Sequence, residues 1–239
     1  MVADPILQVE DVDLGYGPLT VVFGASLEVG PGELVGLVGG NGSGKSTMLR
    51  AISGMISPKR GRIIFSGTEI GKVHPHQMAR RGLAHVPMGR QLFPNMTVDE
   101  NLLLGAYLPE AREAREANLE KVRALFPDLV RYGSTPAAAL SGGQQQMIAI
   151  ARALMLGPKM LIMDEPSLGL SPLFVKEVMA AIRRVAESGM PILLVEQNVK
   201  QVLTVSDRLY VLENGRLVLD GPSSELQGHP MIRKAYLGL

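Results

Sequence analysis

Residues 34–52, with the sequence LVGLVGGNGSGKSTMLRAI, decide the fold of this chain. The first five are apolar and predict a short buried strand of a parallel sheet, and residues 47–52 predict the start of a helix that ends near Gly54. Between the two, residues 39–46 match the pattern G-x-x-x-x-G-K-[ST] at every fixed position. A strand, a glycine-rich loop and a helix in this order predict a phosphate-binding loop within an α/β domain.

The residue types of this loop suit a nucleoside triphosphate. Its glycines let backbone N–H groups turn inward around a β-phosphate. Lys45 can then reach the β- and γ-phosphates, and the hydroxyl of Ser46 can bind Mg²⁺. We therefore expect ATP and Mg²⁺ as cofactors. The predicted nucleotide-binding residues of this segment are Gly39, Gly40, Asn41, Gly42, Ser43, Gly44, Lys45, Ser46 and Thr47.

A second chemical element is the run KMLIMDEP at residues 159–166, in which an apolar stretch ends in two acids. It predicts a buried central strand whose carboxyl end reaches the site. Asp164 would orient Mg²⁺, and Glu165 would act as the general base that polarises the attacking water. On its own the run fits a strand followed by an acidic turn equally well, but beside a complete phosphate loop the catalytic interpretation is favoured.

A third element, LSGGQ at residues 140–144, is a second phosphate-seeking turn. The apolar spacing of residues 145–156 predicts that a helix follows it. Unpaired N–H groups and the positive end of the dipole make a glycine-fronted helix N-terminus favourable for anions. Ser141, Gly142, Gly143 and Gln144 are therefore predicted to contact a nucleotide, although the first loop already serves one.

Phosphate loop, LSGGQ and an apolar strand ending in Asp-Glu-Pro, in this order, resemble an ABC-type ATPase, the nucleotide-binding subunit of ABC transporters. The resemblance covers essentially the whole chain, and LSGGQ is its specific part. It implies that two ATPase domains meet head to tail, so that Ser141, Gly142 and Gly143 of one face the γ-phosphate held by the other. It also implies that Tyr16 stacks on the adenine, whereas its spacing alone would make it a turn tyrosine.

The same resemblance implies the fold, which is α/β: a P-loop NTPase of ABC type, with a mixed central sheet, an antiparallel β-subdomain and a helical subdomain. We expect residues 1–239 to form a single ABC ATPase domain, with the helical subdomain at about residues 88–157 inserted in a RecA-like core. Within it, Thr97 and Glu100 predict a helix start. Residues 109–125 predict an exposed helix, and Phe93 is either the lip of a groove for a membrane subunit or ordinary core.

Short apolar runs and turn residues predict the remaining elements. An antiparallel β-subdomain is predicted from residues 6–9, 20–23 and 62–67. The C-terminal third is predicted to contain strands at residues 191–195 and 209–213 and a helix at 199–205. A tight turn at Asn214-Gly215 is predicted to lead into a strand at 216–219, and residues 223–226 to open a short helical segment.

Composition narrows the class of protein. The chain has 239 residues, with 24 Lys+Arg against 23 Asp+Glu, so no strongly basic surface argues for nucleic acid. It contains no Cys, which excludes a disulfide framework and fits a reducing compartment. The first five residues do not resemble a signal peptide, and no run approaches the roughly 18 apolar residues of a membrane span. Any work at a membrane is therefore expected to use partner chains.

Three positions depart from the general pattern of the family. Met88 stands where the family usually has a Gln that contacts Mg²⁺, and a thioether is a poor ligand for that ion. Gln197 falls where most members place a His, and its amide can form hydrogen bonds near the γ-phosphate but cannot carry a proton charge. Hydrolysis is therefore expected to rest on Glu165. Ser171 stands where the family usually has an Asp, in the loop that follows Asp164, Glu165 and Pro166.

These departures resemble one branch of the family, the shorter ATPase of branched-chain amino acid (LIV-type) importers. The segments that carry this likeness are VPMGR at 86–90, SLGLSP at 167–172, VEQN at 195–198 and AYLG at 235–238. The likeness implies a second ABC ATPase subunit, identical or different, hydrophobic membrane subunits, an indirectly associated solute-binding protein and a peripheral location on the cytoplasmic face of the membrane. Met88 is unusual even in this branch, where Glu is usual.

Three other functions fit parts of the same pattern. An importer of urea or short amides uses very similar ATPase subunits. Non-transport ABC ATPases of DNA repair or of ribosome-associated factors usually carry a long coiled-coil insertion or two fused ATPase domains, and the sequence shows neither. A simple P-loop kinase would have no use for LSGGQ.

Overall fold

The computed structural model describes residues 4–234, and the strands found there form two sheets. The strands are β1 (Leu7–Tyr16), β2 (Leu19–Val29), β3 (Leu34–Val38), β4 (Arg60–Phe65), β5 (Thr68–Glu69), β6 (Leu83–Val86), β7 (Met160–Asp164), β8 (Ile192–Glu196), β9 (Arg208–Glu213) and β10 (Arg216–Pro222). The helices are α1 (Lys45–Ile52), α2 (Pro75–Arg81), α3 (Val98–Gly105), α4 (Pro109–Glu113), α5 (Arg115–Leu125), α6 (Pro127–Val130), α7 (Gly142–Leu154), α8 (Pro172–Glu187), α9 (Val199–Val205), α10 (Ser223–Leu226) and α11 (Pro230–Ile232), with a 3-10 turn at Ala137–Ala139. In residues 4–234, no helix combines the length and the apolar character needed to cross a membrane.

The central sheet has six strands in the order β10-β9-β3-β8-β7-β6. The strands from β9 to β6 run parallel, and β10 pairs antiparallel with β9 at one edge. Side chains of β3, β7 and β8 alternate between two apolar cores, one on each face of the sheet. Because both faces are covered, these strands read as continuous apolar runs in the sequence. The predicted α/β fold with a mixed central sheet is confirmed.

The second sheet is antiparallel, with the order β2-β1-β4-β5, as predicted. Its first two strands are longer than the short broken runs that the sequence indicated, with 10 residues in β1 and 11 in β2. The register between them shifts three times after Val9, and Asp11 and Gly24 adopt positive φ angles of 47° and 55°. Residues that looked like strand breakers therefore lie inside bulged strands, where a bulge absorbs the extra residue.

Helices α3–α7 lie between β6 and β7, which are neighbouring parallel strands of the central sheet. The start of α3 is the predicted one. Thr97 Oγ1 accepts a hydrogen bond from the N–H of Glu100 at 3.2 Å, and Glu100 Oε2 accepts one from the N–H of Thr97 at 2.7 Å. This reciprocal pair satisfies two of the N–H groups that a helix start leaves without partners.

Residues 109–125 are not the single exposed helix that their charges predicted. The helix is interrupted at Ala114, where φ and ψ are −88° and 8°, and resumes as α5. Ala111 and Val122 are buried, with 3% and 1% of their surface exposed, in the core that covers one face of the central sheet. The segment therefore packs against the core along one side. The prediction of an exposed helix was wrong in two respects, because the helix is interrupted and one of its faces is buried.

The predicted C-terminal elements are confirmed. Asn214 and Gly215 have φ angles of 48° and 76°, as a two-residue hairpin turn requires, and they join β9 to β10. The bounds of α9 agree with the sequence prediction, and α10 begins at the predicted residue, Ser223. The segment at 235–238, which contributed to the resemblance, lies outside the described residues.

Candidate functional site

The phosphate loop connects the carboxyl end of β3 to α1 and holds a buried positive charge. Lys45, the first residue of α1, has only 4% of its surface exposed. Its ammonium donates hydrogen bonds to the carbonyl oxygens of Gly39 at 2.9 Å and Gly40 at 3.1 Å, so the side chain curls back across the loop. The ammonium is therefore held inside the loop, where it suits a polyphosphate.

The loop fits a phosphate group, because it combines an unpaired polar atom with space for an anion. Within residues 4–234, the buried hydroxyl of Ser43 has no hydrogen-bond partner. A Cβ at Gly39 would collide with the backbone of β9, and Gly44 has a φ of 109°, which glycine adopts most easily. A Cβ at Gly40 or Gly42 would meet no atom within 4 Å, so both face open space.

The other two predicted members of the loop segment differ in exposure. Asn41 is exposed at the tip of the loop, and Thr47 is buried in the first turn of α1. The N–H groups of this first turn have no partners inside the helix, which makes Thr47 a candidate through its backbone.

Two oxygen donors suited to Mg²⁺ meet where α1 begins and β7 ends. The hydroxyl of Ser46 donates a hydrogen bond to Asp164 Oδ1 at 3.4 Å. Burial, and then the charge of the neighbouring Glu165, raise the pKa of Asp164 above its usual value. Hydroxyl and carboxylate oxygens are hard ligands of the kind Mg²⁺ prefers, with further ligands supplied by phosphate and water. The part of the chain that is described contains no cluster of three or more His, Cys, Asp or Glu side chains able to hold a metal.

Glu165 follows β7 directly and places its carboxylate near the phosphate loop. Its Oε1 lies 3.6 Å from Lys45 Nζ. Its φ is 45°, which is uncommon for a residue other than glycine, and its N–H donates a hydrogen bond to the carbonyl oxygen of Val195 at 2.9 Å. The structure thus brings Lys45, Ser46, Asp164 and Glu165 together at the carboxyl edge of the central sheet, the edge at which open α/β sheets bind ligands.

The end of β8 contributes two adjacent side chains with opposite surroundings. Gln197 is exposed at the same edge of the sheet, whereas Glu196 has only 2% of its surface exposed. Glu196 Oε1 accepts a hydrogen bond from the N–H of Ser167 at 2.8 Å, and its Oε2 accepts one from the N–H of Gln197 at 3.2 Å. Burial raises the pKa of Glu196 above its usual value. Sequence reasoning missed this residue, although an acid closing the otherwise apolar strand ILLVE was a visible signal.

The LSGGQ turn, residues 140–144, caps α7 with its own side chains. Ser141 Oγ accepts a hydrogen bond from the N–H of Gln144 at 3.3 Å, and Gln144 Oε1 accepts one from the N–H of Ser141 at 2.9 Å. Because this pair closes a capping box, α7 begins at Gly142, three residues earlier than the apolar spacing predicted. The side chain of Gln144 is thereby engaged at the helix start. Gly143 is buried, and a Cβ there would lie 2.5 Å from the ring of Phe174.

The LSGGQ turn and the phosphate loop belong to different packing units. Helix α7 packs against α3, α8 and β6, whereas α1 packs against β1, β2 and β7. In residues 4–234, no hydrogen bond or ion pair joins the turn to the loop. The turn is linked instead to the segment after β6, because Arg90 Nη1 donates a hydrogen bond to Gln145 Oε1 at 3.2 Å.

Tyr16 ends β1 beside the helix that follows the phosphate loop. Its ring has 40% of its surface exposed. Its hydroxyl accepts a hydrogen bond from Arg50 Nη1 at 2.8 Å, and the guanidinium carbon of Arg50 lies 5.9 Å from the ring centroid. Since Arg50 belongs to α1, the ring is fixed at one end near the loop and keeps exposed surface on which a base could stack.

The segment after β6 has three consecutive positive φ angles, 84° at Gly89, 65° at Arg90 and 46° at Gln91. Met88, just before them, is 50% exposed. The carbonyl oxygen of Gln91 accepts a hydrogen bond from Arg152 Nη2 at 2.8 Å, and its side chain lines a groove on the surface of the helical region. These contacts of Gln91 are with the helical region.

This groove, of about 450 Å³, lies between α2, β6, α3 and α7. Phe93 lines it and is 51% exposed, so its interpretation as ordinary core was wrong. Asn101 is fully buried and fixes the backbone of Phe93, accepting from its N–H and donating to its carbonyl oxygen, both at 3.0 Å. Other exposed apolar side chains that line the groove are Met55, Leu104 and Tyr107.

A histidine that sequence reasoning did not consider also lines the groove. His85 lies on β6, and burial lowers its pKa to about 4. Its Nε2 is buried without a hydrogen-bond partner among residues 4–234. The imidazole is therefore held neutral at physiological pH.

Known proteins are similar to this chain in both sequence and fold. The family model described as ABC transporter matches residues 22–168. Over 233 residues the chain is 40% identical to the high-affinity branched-chain amino acid transport ATP-binding protein BraG of Pseudomonas aeruginosa, which spans 98% of this chain and 100% of that protein. It is 32% identical over 235 residues to the lipopolysaccharide export system ATP-binding protein LptB of Acidithiobacillus ferridurans, which spans 98% of this chain and 97% of that protein. The crystal structure of the ADP conformation of MJ1267, an ATP-binding cassette of an ABC transporter, matches with a TM-score of 0.85 and 29% identity over 99% of this chain and 100% of that one.

Proposed function

The chain belongs to the ABC transporter family, and we propose that it is the ATP-hydrolysing subunit of an importer for branched-chain amino acids. As an ABC-type cassette it is an ATPase that binds ATP. The likeness to BraG, at 40% identity over essentially the full length of both chains, carries the proposal about the solute. Relatives such as LptB serve lipopolysaccharide export, so family membership alone leaves the solute open.

The proposed site for ATP and Mg²⁺ is the cluster of Lys45, Ser46, Asp164 and Glu165. Its support is the convergence of these side chains at one sheet edge, next to the unpaired hydroxyl of Ser43. Lys45 and the N–H groups of the loop hold the β- and γ-phosphates. Ser46 and Asp164 hold Mg²⁺, which neutralises charge on the phosphates when it is bound. Tyr16 stacks on the adenine.

Glu165 is proposed as the general base for hydrolysis. Its carboxylate lies at the same edge of the sheet as Lys45 and is fixed by an uncommon backbone conformation. From there it accepts a proton as water attacks the γ-phosphate. Gln197 is exposed at the end of the neighbouring strand and can form hydrogen bonds near the γ-phosphate, but it carries no proton charge. The proton therefore goes to Glu165.

The LSGGQ turn is proposed to serve the nucleotide of a second cassette. Its support is that α7 is a 13-residue helix whose N-terminus favours anions, yet it packs apart from the phosphate loop of its own chain. In this proposal Ser141, Gly142 and Gly143 close over a γ-phosphate held by the partner, which is either a second copy or a different ATPase. Closure brings the helical regions together and moves the membrane subunits to another state, and hydrolysis reopens the pair.

The helical region at about residues 88–157 is proposed to be a subdomain inserted in a single ATPase domain, and its groove to receive a helix of a membrane subunit. Support comes from the exposed Phe93, Leu104 and Tyr107 that line the groove, since contiguous exposed apolar surface marks interaction sites. The chain would then act at the cytoplasmic face of the membrane through hydrophobic partner subunits. The solute-binding protein would contact those subunits and not this chain.

Purification of a tagged chain from native membranes tests this function. We expect hydrophobic membrane subunits and a second ATPase to co-purify, and ATP hydrolysis by the complex to increase when a branched-chain amino acid and its binding protein are added. If urea or a short amide stimulates hydrolysis and branched-chain amino acids do not, the proposed solute is wrong and the alternative importer is favoured. Co-purification of ribosomes, DNA-repair proteins or lipopolysaccharide-export subunits would contradict the importer.

A matched pair of variants checks that the partners bind through the groove. Phe93→Asp places a charge on the groove, whereas Val130→Asp places one on another exposed apolar residue that does not line it. We expect Phe93→Asp to lose the membrane subunits and keep ATP binding, and Val130→Asp to retain both.

A further inference from the structure

Glu196 is a buried acid that the proposed mechanism does not use. It closes β8, and only 2% of its surface is exposed. Among residues 4–234, no Lys, Arg or His forms an ion pair with it, and the charge that acts on it is that of Glu165, another acid. Burying a carboxylate without a cation is unfavourable unless hydrogen bonds compensate for the lost solvation, and backbone N–H groups provide those bonds here.

The hydrogen bonds of Glu196 with Ser167 and Gln197 join the two turns that flank the hydrolytic centre, and the side chain of Ser167 contributes to them as well as its N–H. Oε1 accepts from the N–H of Ser167, two residues after Glu165, and Oε2 accepts from the N–H of Gln197. The N–H of Glu165 itself is bonded to Val195, the residue before Glu196. The segment 165–167 is therefore attached to the end of β8 at two points, one through the backbone and one through this side chain.

Glu165 depends on such attachment, because its left-handed backbone conformation is uncommon for a residue with a side chain. Strained conformations of this kind persist when their surroundings hold them. We propose that Glu196 is a positioning residue for ATP hydrolysis, whose carboxylate ties the turn after Glu165 to the turn that carries Gln197 so that both face the γ-phosphate in one arrangement. This inference rests on the proposed role of Glu165 as the base.

The property required at position 196 is an acceptor oxygen on a side chain long enough to reach the N–H of Ser167. Gln keeps an oxygen at the same distance from the backbone and loses the charge. Asp keeps the charge and is one methylene shorter, so it does not reach the N–H of Ser167. Ala removes the acceptor altogether. The order of activity among these three variants therefore separates positioning by a hydrogen bond from an effect of the charge.

The experiment measures kcat and ATP affinity of the full chain for Glu196→Gln, Glu196→Asp and Glu196→Ala. We expect Glu196→Gln to keep kcat within about threefold, because the bond to Ser167 survives. We expect Glu196→Asp and Glu196→Ala to lower kcat by about 10- to 100-fold, the scale of a misplacement of about 1 Å in a catalytic group, with ATP affinity unchanged. An unchanged kcat in Glu196→Ala, or an active Asp variant beside an inactive Gln variant, would overturn the inference. If the Ala variant does not fold, the comparison of Gln with Asp decides the question in the same way.

Glu33 offers a matched control at the opposite edge of the sheet. Its Oε2 also accepts a backbone N–H, that of Gly30 at 2.7 Å, and its Oε1 pairs with Arg208 Nε at 2.8 Å. Glu33 precedes β3 and does not follow a strand at the site. Glu33→Ala is expected to lower thermal stability and leave kcat unchanged. If Glu33→Ala lowers kcat as much as Glu196→Ala does, the loss in Glu196→Ala reflects general destabilisation and the inference is overturned. A wild-type rate in Glu165→Gln would instead refute the proposed base, and with it both proposals. A slow Glu165→Gln with a fully active Glu196→Ala would refute the positioning role alone.

Discussion

Lys45 and Glu165 face each other at 3.6 Å, and several independent contacts keep them there. Lys45 is held by two carbonyl oxygens of its own loop, and Glu165 by a left-handed backbone that is bonded to Val195. Met88 and Gln197 occupy positions where the resemblance to the family led us to expect Gln and His. Neither can accept a proton from water at neutral pH. At the residue scale, we therefore propose Glu165 as the group that accepts the proton.

Replacing Glu165 by Gln tests that assignment. The amide has almost the same shape, so we expect ATP affinity to be retained, and loss of the proton acceptor is expected to lower kcat by about 10²- to 10⁴-fold. Steady-state ATPase assays and a nucleotide titration give both quantities. Glu187→Gln, which changes an exposed acid at the end of α8, should hydrolyse ATP at the wild-type rate. Wild-type turnover in Glu165→Gln would refute the assignment.

The residues that the sequence could predict are those whose chemistry is written in a short contiguous pattern. The loop with Lys45 and Ser46, and the strand ending in Asp164 and Glu165, are of this kind. Glu196 is different, because its role comes from burial and from a bond to Ser167, which is 29 residues away along the chain. The contact between Glu196 and Ser167 depends on the pairing of β7 with β8 in the central sheet, which a local sequence pattern does not report.

Helices α3 and α7 approach each other closely at a glycine. A Cβ at Gly105 would collide with the carbonyl oxygen of Arg152 and lie 2.8 Å from Met155 Cβ. Arg152 in turn bonds the carbonyl oxygen of Gln91 and places its guanidinium carbon 5.9 Å from the centroid of the Phe93 ring. The glycine therefore sets the distance between two helices that line the groove.

Gly105→Ala should destabilise the protein through this contact. The added methyl group overpacks the helix crossing, and we expect a loss of about 1–3 kcal/mol in the free energy of unfolding, measured by urea denaturation. Gly228→Ala is the matched control, since its nearest contact is at 3.7 Å, and it should change stability by less than about 0.5 kcal/mol. Equal stabilities of the two variants would show that α3 and α7 do not pack this closely.

Strand β6 carries a pH dependence of stability through His85. The pKa of this imidazole is about 4 in the folded protein, whereas its ordinary value, which applies to the unfolded chain, is 6.5. Between these values the unfolded chain binds a proton that the folded chain does not, so stability is complete above about pH 6.5 and is lost as pH falls toward 4. We expect this group to cost about 2 kcal/mol by about pH 5.

The His85→Gln variant should lose that part of the pH dependence. Urea unfolding at a series of pH values between about 7 and 5 measures the slope for the wild type and the variant. His76→Gln, which changes an exposed histidine, should keep the wild-type slope. An equally steep slope in His85→Gln would mean that the imidazole is not held neutral by burial.

At the level of elements, local signals predicted the ends of helices and the hairpin, and packing decided the rest. The capping residues Thr97 and Ser141 and the turn at Asn214-Gly215 act within a few residues, so sequence patterns report them. The break at Ala114 and the bulges of β1 follow from contacts with distant elements. Charge spacing and turn residues alone predict a continuous helix at residues 109–125 and short strands in the antiparallel sheet.

At the scale of the molecule, the two predicted phosphate-binding elements are connected through the central sheet and its helices, and within residues 4–234 no hydrogen bond or ion pair joins them directly. The phosphate loop is fixed between β3 and α1, and the LSGGQ turn is fixed at the start of α7 by its capping box. Because the two pack on different elements, we propose that each is completed by the other element of a second cassette. In the proposed arrangement, nucleotide binding would join two cassettes.

Sedimentation of the slow-hydrolysing protein with MgATP tests this joining through the mass of the assembly. For Glu165→Gln, we predict a change from a 25.7 kDa chain to an assembly of two cassettes, formed with a second copy or with a co-expressed partner ATPase. Adding Ser141→Arg blocks the turn, and this double variant should bind ATP with the same affinity and stay unassociated. Association of the double variant equal to that of Glu165→Gln, or loss of its own ATP binding, would contradict a site shared between two cassettes.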